Sequence, residues 1–216
     1  MKQTIINAIK EHKLIAIVRG AEADKCIAIS QALYEGGFKA VEITYNMKDP
    51  TSWEETAKTI GAVKEAFAGK MIVGAGTVTC PELVDLTHKY GGEFIISPNF
   101  SEAVVRRTVE LGMVSIPGAL TPTEVYNAHA AGADFVKLFP AGTMGPGYVK
   151  SIKAPLSNIE LLATGGIDEN NVADYLKAGA VGAGIGGNLV NLKWVAAGEY
   201  EKITEVARLL VAAVKE

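Results

Sequence analysis

Cysteine and histidine are scarce in this sequence of 216 residues, which contains two cysteines and three histidines. Cys26 and Cys80 fall in segments that are predicted as different helices, so neither a disulfide framework nor a zinc site is indicated. His12, His88 and His129 lie in or beside predicted helices, and no strand end collects imidazole and carboxylate ligands. We therefore expect a protein without a metal ion or other cofactor.

Long apolar runs and clusters of one charge are also missing. No uninterrupted apolar stretch approaches the roughly 20 residues of a bilayer-spanning helix. Residues 1–10 lack the long apolar centre and the cleavage site of a secretion signal. The formal net charge is −3 and the charges are scattered, so no basic face is available for nucleic acid. These absences predict a soluble, cytoplasmic protein that binds neither membranes nor nucleic acid.

The sequence does contain a regular alternation of short apolar runs and longer amphipathic segments. Each run is rich in β-branched residues, and each following segment has apolar residues at helical spacing. Eight runs are predicted as strands: 14–19, 40–45, 71–75, 94–97, 113–116, 135–139, 160–163 and 181–185. Helices are predicted at 24–34, 52–67, 81–90, 101–111, 122–131, 169–178, 188–194 and 199–214. Ser101 and Thr121 are expected to cap two of them.

Two architectures fit a chain of alternating βα units, namely a closed barrel and an open doubly wound sheet. The predicted strands are nearly all apolar, which is typical of parallel strands covered by helices. Eight regular units with no inserted domain, and glycine-rich turns after the last two strands, favour closure. We therefore predict a single parallel (β/α)8 TIM barrel, with residues 1–216 forming one domain that begins with an N-terminal helix.

Two ionisable residues lie inside predicted strands. Side chains alternate across a strand, so Lys137 is expected among apolar neighbours in the barrel, where lost hydration lowers the pKa of its amine. Such an amine is a nucleophile toward carbonyls. Val41 and Ile43 flank Glu42 on the opposite face, so its carboxylate is also expected inside, placed to move protons. The structural alternatives are a snorkelling or ion-paired Lys137, and a Glu42 that only neutralises Lys137 or Arg19.

Glycine-rich turns follow the last two predicted strands. Gly165 and Gly166 come after the seventh strand, and Gly186, Gly187 and Asn188 come after the eighth. Backbone N–H groups exposed there, near helix starts, would suit a phosphate or carboxylate group. Turns need glycine for their own geometry as well, but two such turns in these places favour an anion site.

Three further residues stand at predicted strand ends. Arg19 could hold a carboxylate or phosphate through a two-pronged contact. Thr77 offers a hydroxyl at the end of the third strand, and Pro98 would shape the wall after the fourth. A role in turn formation is an equally ordinary interpretation of each.

Seven motifs, spread in order over almost the whole chain, resemble the class I aldolase family that acts on 2-keto-3-deoxy-6-phosphogluconate (KDPG) and 4-hydroxy-2-oxoglutarate (KHG). They are IAIVRG at 15–20, VEIT at 41–44, GAGTV at 74–78, ISP at 96–98, IPG at 116–118, VKLFP at 136–140 and ATGG at 163–166. The resemblance implies a metal-independent enzyme of carbohydrate metabolism, of the Entner–Doudoroff type. It also implies a homotrimer.

The resemblance assigns roles to individual residues. Lys137 would form the Schiff base and Glu42 would be the general acid/base. Arg19 and Thr77 would hold the pyruvyl carboxylate or nearby oxygens. The glycines of the two last turns, with Asn188, would hold the phosphate.

The implied reaction is reversible cleavage of a 2-keto-3-deoxy-6-phospho-sugar acid to pyruvate and glyceraldehyde 3-phosphate. The same chemistry would cleave 4-hydroxy-2-oxoglutarate to pyruvate and glyoxylate. The phosphogluconate enzymes commonly carry an arginine four residues beyond the catalytic glutamate, where this chain has Asn46. Asn46, Pro98-Asn99 and residues 145–148 look more like the branch that cleaves the galactonate epimer, so the sequence leaves the configuration at C4 open.

Two other functions fit the same residues. A phosphosugar isomerase or epimerase would use Glu42 as a base without any covalent intermediate. A non-enzymatic sugar-phosphate sensor would bind the same ligands, although binding alone does not call for a buried amine beside a carboxylate.

Overall fold

A computed structural model describes residues 2–215, which contain nine parallel strands in one sheet with helices packed around it. The strands are β1 (Leu14–Val18), β2 (Ala40–Thr44), β3 (Ile72–Gly76), β4 (Phe94–Ile96), β5 (Val114–Ile116), β6 (Gly118–Ala119), β7 (Val136–Leu138), β8 (Leu161–Thr164) and β9 (Gly182–Ile185). Their order in the sheet is β5-β4-β3-β2-β1-β9-β8-β7-β6. Every strand pairs in parallel with its neighbours.

The helices alternate with the strands along the chain. They are α1 (Lys2–His12), α2 (Ala23–Glu35), α3 (Trp53–Ala66), α4 (Pro81–Lys89), α5 (Glu102–Glu110), α6 (Pro122–Ala130), α7 (Ala141–Met144), α8 (Pro146–Lys153), α9 (Val172–Lys177), α10 (Leu192–Ala197) and α11 (Tyr200–Ala213). A short 3-10 helix at Pro50–Ser52 leads into α3. This is the alternating βα order that the sequence predicted.

The two ends of the sheet order, β5 and β6, are separated in the chain by Pro117 alone. The Ser115 carbonyl in β5 accepts hydrogen bonds from the backbone N–H groups of Asp134 and Phe135, at 3.0 and 3.2 Å. The Pro117 carbonyl accepts the N–H of Lys137 at 2.9 Å. These bonds join both ends of the order to the segment containing β7, so the sheet is nearly closed into a barrel. The sheet has nine strands where eight were predicted. The strand that was not predicted is β6, which follows β5 directly after Pro117, a residue with no N–H to donate.

Buried side chains divide into two clusters, one on each face of the sheet. The outer face packs against the helices and includes Val41, Ile43, Val136 and Leu138. The inner cluster fills the barrel at the amino-terminal ends of the strands, here called the lower end. Its members are Ile5, Ile9, Ile15, Ala40, Phe94, Ile96, Val114, Ile116, Phe135 and Leu162.

Helix α1 closes the lower end of the barrel. Its Ile5 and Ile9 are buried in the inner cluster. Lys10 forms an ion pair of 2.5 Å with Glu160, just before β8, and Lys2 forms one of 2.9 Å with Asp134, just before β7. The polar residues that remain inside the barrel therefore lie above this apolar plug, toward the carboxyl ends of the strands.

The structure differs from the predictions at four helices. Helices α7 and α8 were not predicted; Pro146 stands at the first position of α8, where its missing N–H costs nothing. Helix α9 begins at Val172 instead of residue 169, and α10 covers Leu192–Ala197 instead of 188–194. The Asp168 N–H bonds the Asn171 side chain at 3.0 Å, and this turn delays α9.

Candidate active site

Lys137 and Glu42 both face the interior of the barrel above the inner cluster. Their strand neighbours, Val136 and Leu138 for Lys137 and Val41 and Ile43 for Glu42, lie in the outer cluster. Lys137 is 7% exposed and Glu42 is 1% exposed. The alternation of side chains along the strands therefore placed both groups on the correct face.

The Glu42 carboxyl is buried without a hydrogen bond. Neither oxygen has a partner among the described residues. Burial raises the pKa of this carboxyl, and the positive charges of Lys137 and Arg19 oppose the rise. A buried carboxyl with unused hydrogen-bonding capacity is energetically costly, so it is a group retained for chemistry more readily than for stability.

The Lys137 amine is equally isolated. Among residues 2–215 it makes no direct ion pair, with Glu42 or with any other carboxylate. Burial lowers the pKa of Lys137, the charge of Glu42 raises it, and the charge of Arg19 lowers it. Nζ lies 5.1 Å from the centroid of the Phe139 ring, which limits the approach of water from that side. Burial thus disfavours the charged form of both groups, and their mutual attraction opposes that effect.

Arg19 and Thr77 line one cleft at the upper end of the barrel. The cleft has a volume of about 630 Å³ and lies over the ends of β1 and β2. Thr44 and Asn46 also line it. The Arg19 side chain is exposed, and Thr77 has a φ of 60°, an uncommon conformation for a β-branched residue that turns the chain directly after β3. The structure therefore brings these two predicted binding residues together at the mouth.

Pro98 follows β4, and its backbone packs against Gly118 in β6. A Cβ added to Gly118 in β6 would lie 2.4 Å from the Pro98 carbonyl carbon and oxygen, so the two backbones are in close contact. Gly118 in turn pairs with Lys137. The Pro98 backbone therefore contacts Gly118, which is the strand partner of Lys137.

The predicted phosphate residues follow the adjacent strands β8 and β9. Gly165 and Gly166 have φ values of 88° and 77°, which L side chains rarely adopt. In the chain as far as it is described, the N–H groups of Gly165, Gly166, Gly186, Gly187 and Asn188 donate no hydrogen bond. These groups are available to an anion, but neither pair stands at a helix start as predicted, because α9 and α10 begin several residues later.

Three further residues of the site were not singled out from the sequence. Thr44 and Phe139 each lie two residues beyond an interior residue, Glu42 and Lys137, so strand alternation could have found them. Thr164 is 5% exposed at the end of β8, and its hydroxyl would lie 2.8 Å from a Cβ at Gly184. Thr164 lies two residues beyond Leu162 of the inner cluster, so the same alternation places it inside the barrel.

No group of three or more histidine, cysteine, aspartate or glutamate side chains in residues 2–215 is placed to hold a metal ion. None of the described helices has the length and apolar character needed to cross a membrane.

The chain was compared with known proteins. A family model described as "Aldolase: KDPG and KHG aldolase" matches residues 5–206. The 2-dehydro-3-deoxy-6-phosphogalactonate aldolase of Escherichia coli (strain K12) is 39% identical over 204 residues, covering 94% of this chain and 95% of that protein. The 2-dehydro-3-deoxy-phosphogluconate aldolase of Treponema pallidum (strain Nichols) is 29% identical over 206 residues, covering 95% of each. The solved "Native KDPGal structure" has a TM-score of 0.84 at 39% identity, covering 94% of each chain.

Proposed function

Because this chain belongs to the KDPG and KHG aldolase family, we propose that it cleaves a 2-keto-3-deoxy-6-phospho-sugar acid to pyruvate and glyceraldehyde 3-phosphate through an imine on Lys137. The reaction is reversible, and 4-hydroxy-2-oxoglutarate is a second substrate of the same chemistry. One observation carries the proposal: an amine and a carboxyl, both buried, both interior and not ion-paired to each other.

The first half of the reaction consumes a neutral amine. Lys137 Nζ attacks the C2 carbonyl of the keto acid to give a carbinolamine. The protonated Glu42 carboxyl donates its proton to the departing hydroxyl, so water leaves and an iminium ion forms. Glu42 is then a carboxylate, ready to act as a base.

The second half breaks the carbon–carbon bond. Glu42 takes the proton of the C4 hydroxyl as the C3–C4 bond breaks, and the bonding electrons pass into the iminium to give an enamine. The aldehyde leaves, and the Glu42 carboxyl donates its proton to C3 of the enamine, which restores the iminium ion. Water then hydrolyses the iminium ion, and Glu42 takes up the proton that is released. Pyruvate leaves, and the neutral amine of Lys137 is restored.

The remaining residues bind the two ends of the substrate. We place the pyruvyl carboxylate or a nearby oxygen at Arg19 and Thr77, with Pro98 in the wall beside the reacting carbon. The phosphate lies on the free N–H groups of Gly165, Gly166, Gly186, Gly187 and Asn188, as fixed dipoles suit an anion.

We propose the galactonate epimer as the preferred substrate. The galactonate enzyme of E. coli is 39% identical to this chain and the gluconate enzyme of T. pallidum is 29% identical. Asn46 at the mouth supports the same branch, since the family's gluconate enzymes commonly carry an arginine there. Condensing pyruvate with glyceraldehyde 3-phosphate and determining the C4 configuration of the product tests this choice; a product of gluconate configuration contradicts it.

The imine step is tested by adding pyruvate and borohydride and locating the added mass by peptide mass spectrometry. We expect a reduced pyruvyl group on Lys137. Lys137→Ala should lose both the label and the turnover, whereas Lys150→Ala, on the exposed face of α8, should keep both. Turnover that survives Lys137→Ala would favour an isomerase or epimerase, and binding of sugar phosphate without any product would favour a sensor.

The proposal also covers the number of barrel units, the cellular location and the oligomeric state. We infer that β5 and β6 are halves of one strand position, so that residues 1–216 form one eight-unit barrel domain. We also infer a cytoplasmic homotrimer, on the family resemblance and on the exposed apolar side chains of Tyr126, Leu192 and Leu209, which assembly would cover. Light scattering on the eluted protein should give three times the 22.8 kDa of one chain; a mass of one chain contradicts the trimer.

A further inference from the structure

The Glu42 carboxyl lies directly against the Cα atom of Gly76, the last residue of β3. A Cβ added to Gly76 would be 2.3 Å from Glu42 Oε1, 2.8 Å from Cδ and 2.9 Å from Thr44 Cγ2. Contacts this short do not occur between real atoms, so the carboxyl occupies the volume that any other residue at position 76 would need.

No hydrogen bond among the described residues holds the Glu42 carboxyl in place. Neither oxygen is hydrogen-bonded within the described chain, and the nearest charges attract it without direct contact. Its position is therefore set by the shape of its surroundings. The three atoms nearest to a Cβ at position 76 all belong to side chains, two of them to Glu42 itself.

We propose that Gly76 is a positioning residue for the aldol cleavage, because the space above its Cα is where the proton-transferring carboxyl of Glu42 is seated. This inference rests on the proposed function. It makes a selective prediction, since the φ of Gly76 is not among the positive ones and the three atoms nearest to an alanine Cβ there all belong to side chains. Gly76→Ala should therefore leave the fold intact but displace the Glu42 carboxyl.

Neighbouring glycines provide matched controls. Gly74 lies two residues earlier on the same face of β3, and its added Cβ would be 2.4 Å from the Phe94 backbone oxygen. Gly74→Ala should therefore lower the melting temperature clearly more than Gly76→Ala. Gly147, in α8, has no atom within 4 Å of its added Cβ, and alanine favours a helix more than glycine does, so Gly147→Ala should not lower the melting temperature.

The experiment is a double-mutant cycle on the rate of pyruvyl-Lys137 formation, trapped with borohydride. Gly76→Ala should slow the rate by about 10- to 100-fold, the size expected for a misplaced catalytic group. In a Glu42→Ala background the carboxyl is gone, so adding Gly76→Ala should change the rate by less than about twofold. A Gly76→Ala rate equal to the wild type, or an equal loss in both backgrounds, overturns the proposal.

A crystal structure of Gly76→Ala provides a readout that needs no turnover. We expect a displaced Glu42 carboxyl inside an unchanged barrel backbone, and an unmoved carboxyl contradicts the positioning role. If the wild type forms no adduct on Lys137, the proposed function fails, while the crystal structure still decides whether Gly76 positions Glu42.

Discussion

At the scale of single residues, burial sets the charge state of the site. It raises the pKa of the Glu42 carboxyl and lowers the pKa of the Lys137 amine. Both groups are thus driven toward their neutral forms, which are the forms that the carbinolamine steps consume. An exposed lysine would be protonated at neutral pH and would react far more slowly.

The charges of Arg19 and Glu42 should move the pKa of Lys137 in opposite directions. Arg19 lowers it, so Arg19→Met should raise the midpoint of the pH profile for adduct formation; Glu42 raises it, so Glu42→Leu should lower that midpoint. The rate falls as the pH falls through the midpoint, because the amine becomes protonated. Since Arg19 is exposed, added salt should shrink its effect. A common direction of shift in both variants would contradict this electrostatic account.

Removing the buried carboxyl should stabilise the protein while abolishing turnover. Burying a polar group without a hydrogen bond costs about 1–3 kcal/mol, and an apolar side chain of similar volume does not carry that cost. The pKa of Glu42 is raised in the folded state, so its ionisation lowers stability as the pH rises above the unfolded value of about 4.3.

The stability gain of Glu42→Leu over the wild type should therefore widen from about pH 4 upward, toward the raised pKa. Urea unfolding at several pH values measures it. Glu55→Leu, at an exposed position on α3, is the control and should show no such widening. If the stability gain of Glu42→Leu instead becomes smaller as the pH rises, the pKa of Glu42 is not raised in the folded protein.

The residues that carry the chemistry were predictable because alternation along one strand is a local property. Lys137 and Glu42 needed only their immediate neighbours to be placed inside. The contact between the Glu42 carboxyl and Gly76 was not predictable from the sequence. It depends on the register between β2 and β3, in which Thr44 pairs with Gly76. The sequence showed Gly76 only as one glycine of a turn-like GAGTV motif.

At the scale of elements, two predicted helix caps differ: the sequence before α6 contains a full capping box, and the sequence before α5 contains only the N-cap serine. Thr121 caps α6 in a reciprocal capping box: its hydroxyl accepts the Glu124 N–H at 3.3 Å, and Glu124 accepts the Thr121 N–H at 2.7 Å. Ser101 precedes α5 but makes no cap hydrogen bond. The glutamate three residues after Thr121 is the difference, since position 104 is a valine.

Thr121→Ala should therefore cost about 1 kcal/mol, the usual value of a lost N-cap. For a chain of this length this is a fall of about 2–4 °C in melting temperature. Ser101→Ala is the matched variant and should change it by less than about 1 °C. Equal losses at the two positions would show that the box contributes nothing beyond ordinary helix propensity.

The elements that the sequence missed have two causes. Helices α7 and α8 are short and are separated by Gly145, whose φ is 79°, so hydrophobic periodicity has too few residues to be recognised. Strand β6 has only two residues and is defined by its pairing with β7, which the sequence does not show. Long periodic segments, by contrast, were predicted to within a few residues.

At the scale of the whole molecule, we expect the packing of α1 to affect stability without affecting the reaction rate. Ile9 is 1% exposed and lies in the inner cluster at the lower end, away from Lys137. Ile9→Ala should cost about 2–5 kcal/mol because it leaves a cavity among large apolar side chains. The rate per folded molecule should not change, since the reacting groups lie at the upper end.

Urea unfolding and steady-state kinetics on the same Ile9→Ala preparation test this separation. Glu11→Ala, on the exposed side of α1, should alter neither stability nor rate. A large fall in turnover at unchanged folded fraction would mean that the lower end communicates with the site.

Because α1 closes the lower end of the barrel among residues 2–215, we expect substrates to reach Lys137 from the upper end, and this has a kinetic consequence. A molecule that occupies the outer part of the chamber blocks the path to the amine behind it. In the synthetic direction, pyruvate must therefore arrive before the aldehyde, and in cleavage the aldehyde must depart before pyruvate is released. Initial-velocity and product-inhibition patterns should be those of an ordered mechanism, with excess aldehyde acting as a dead-end inhibitor competitive with pyruvate.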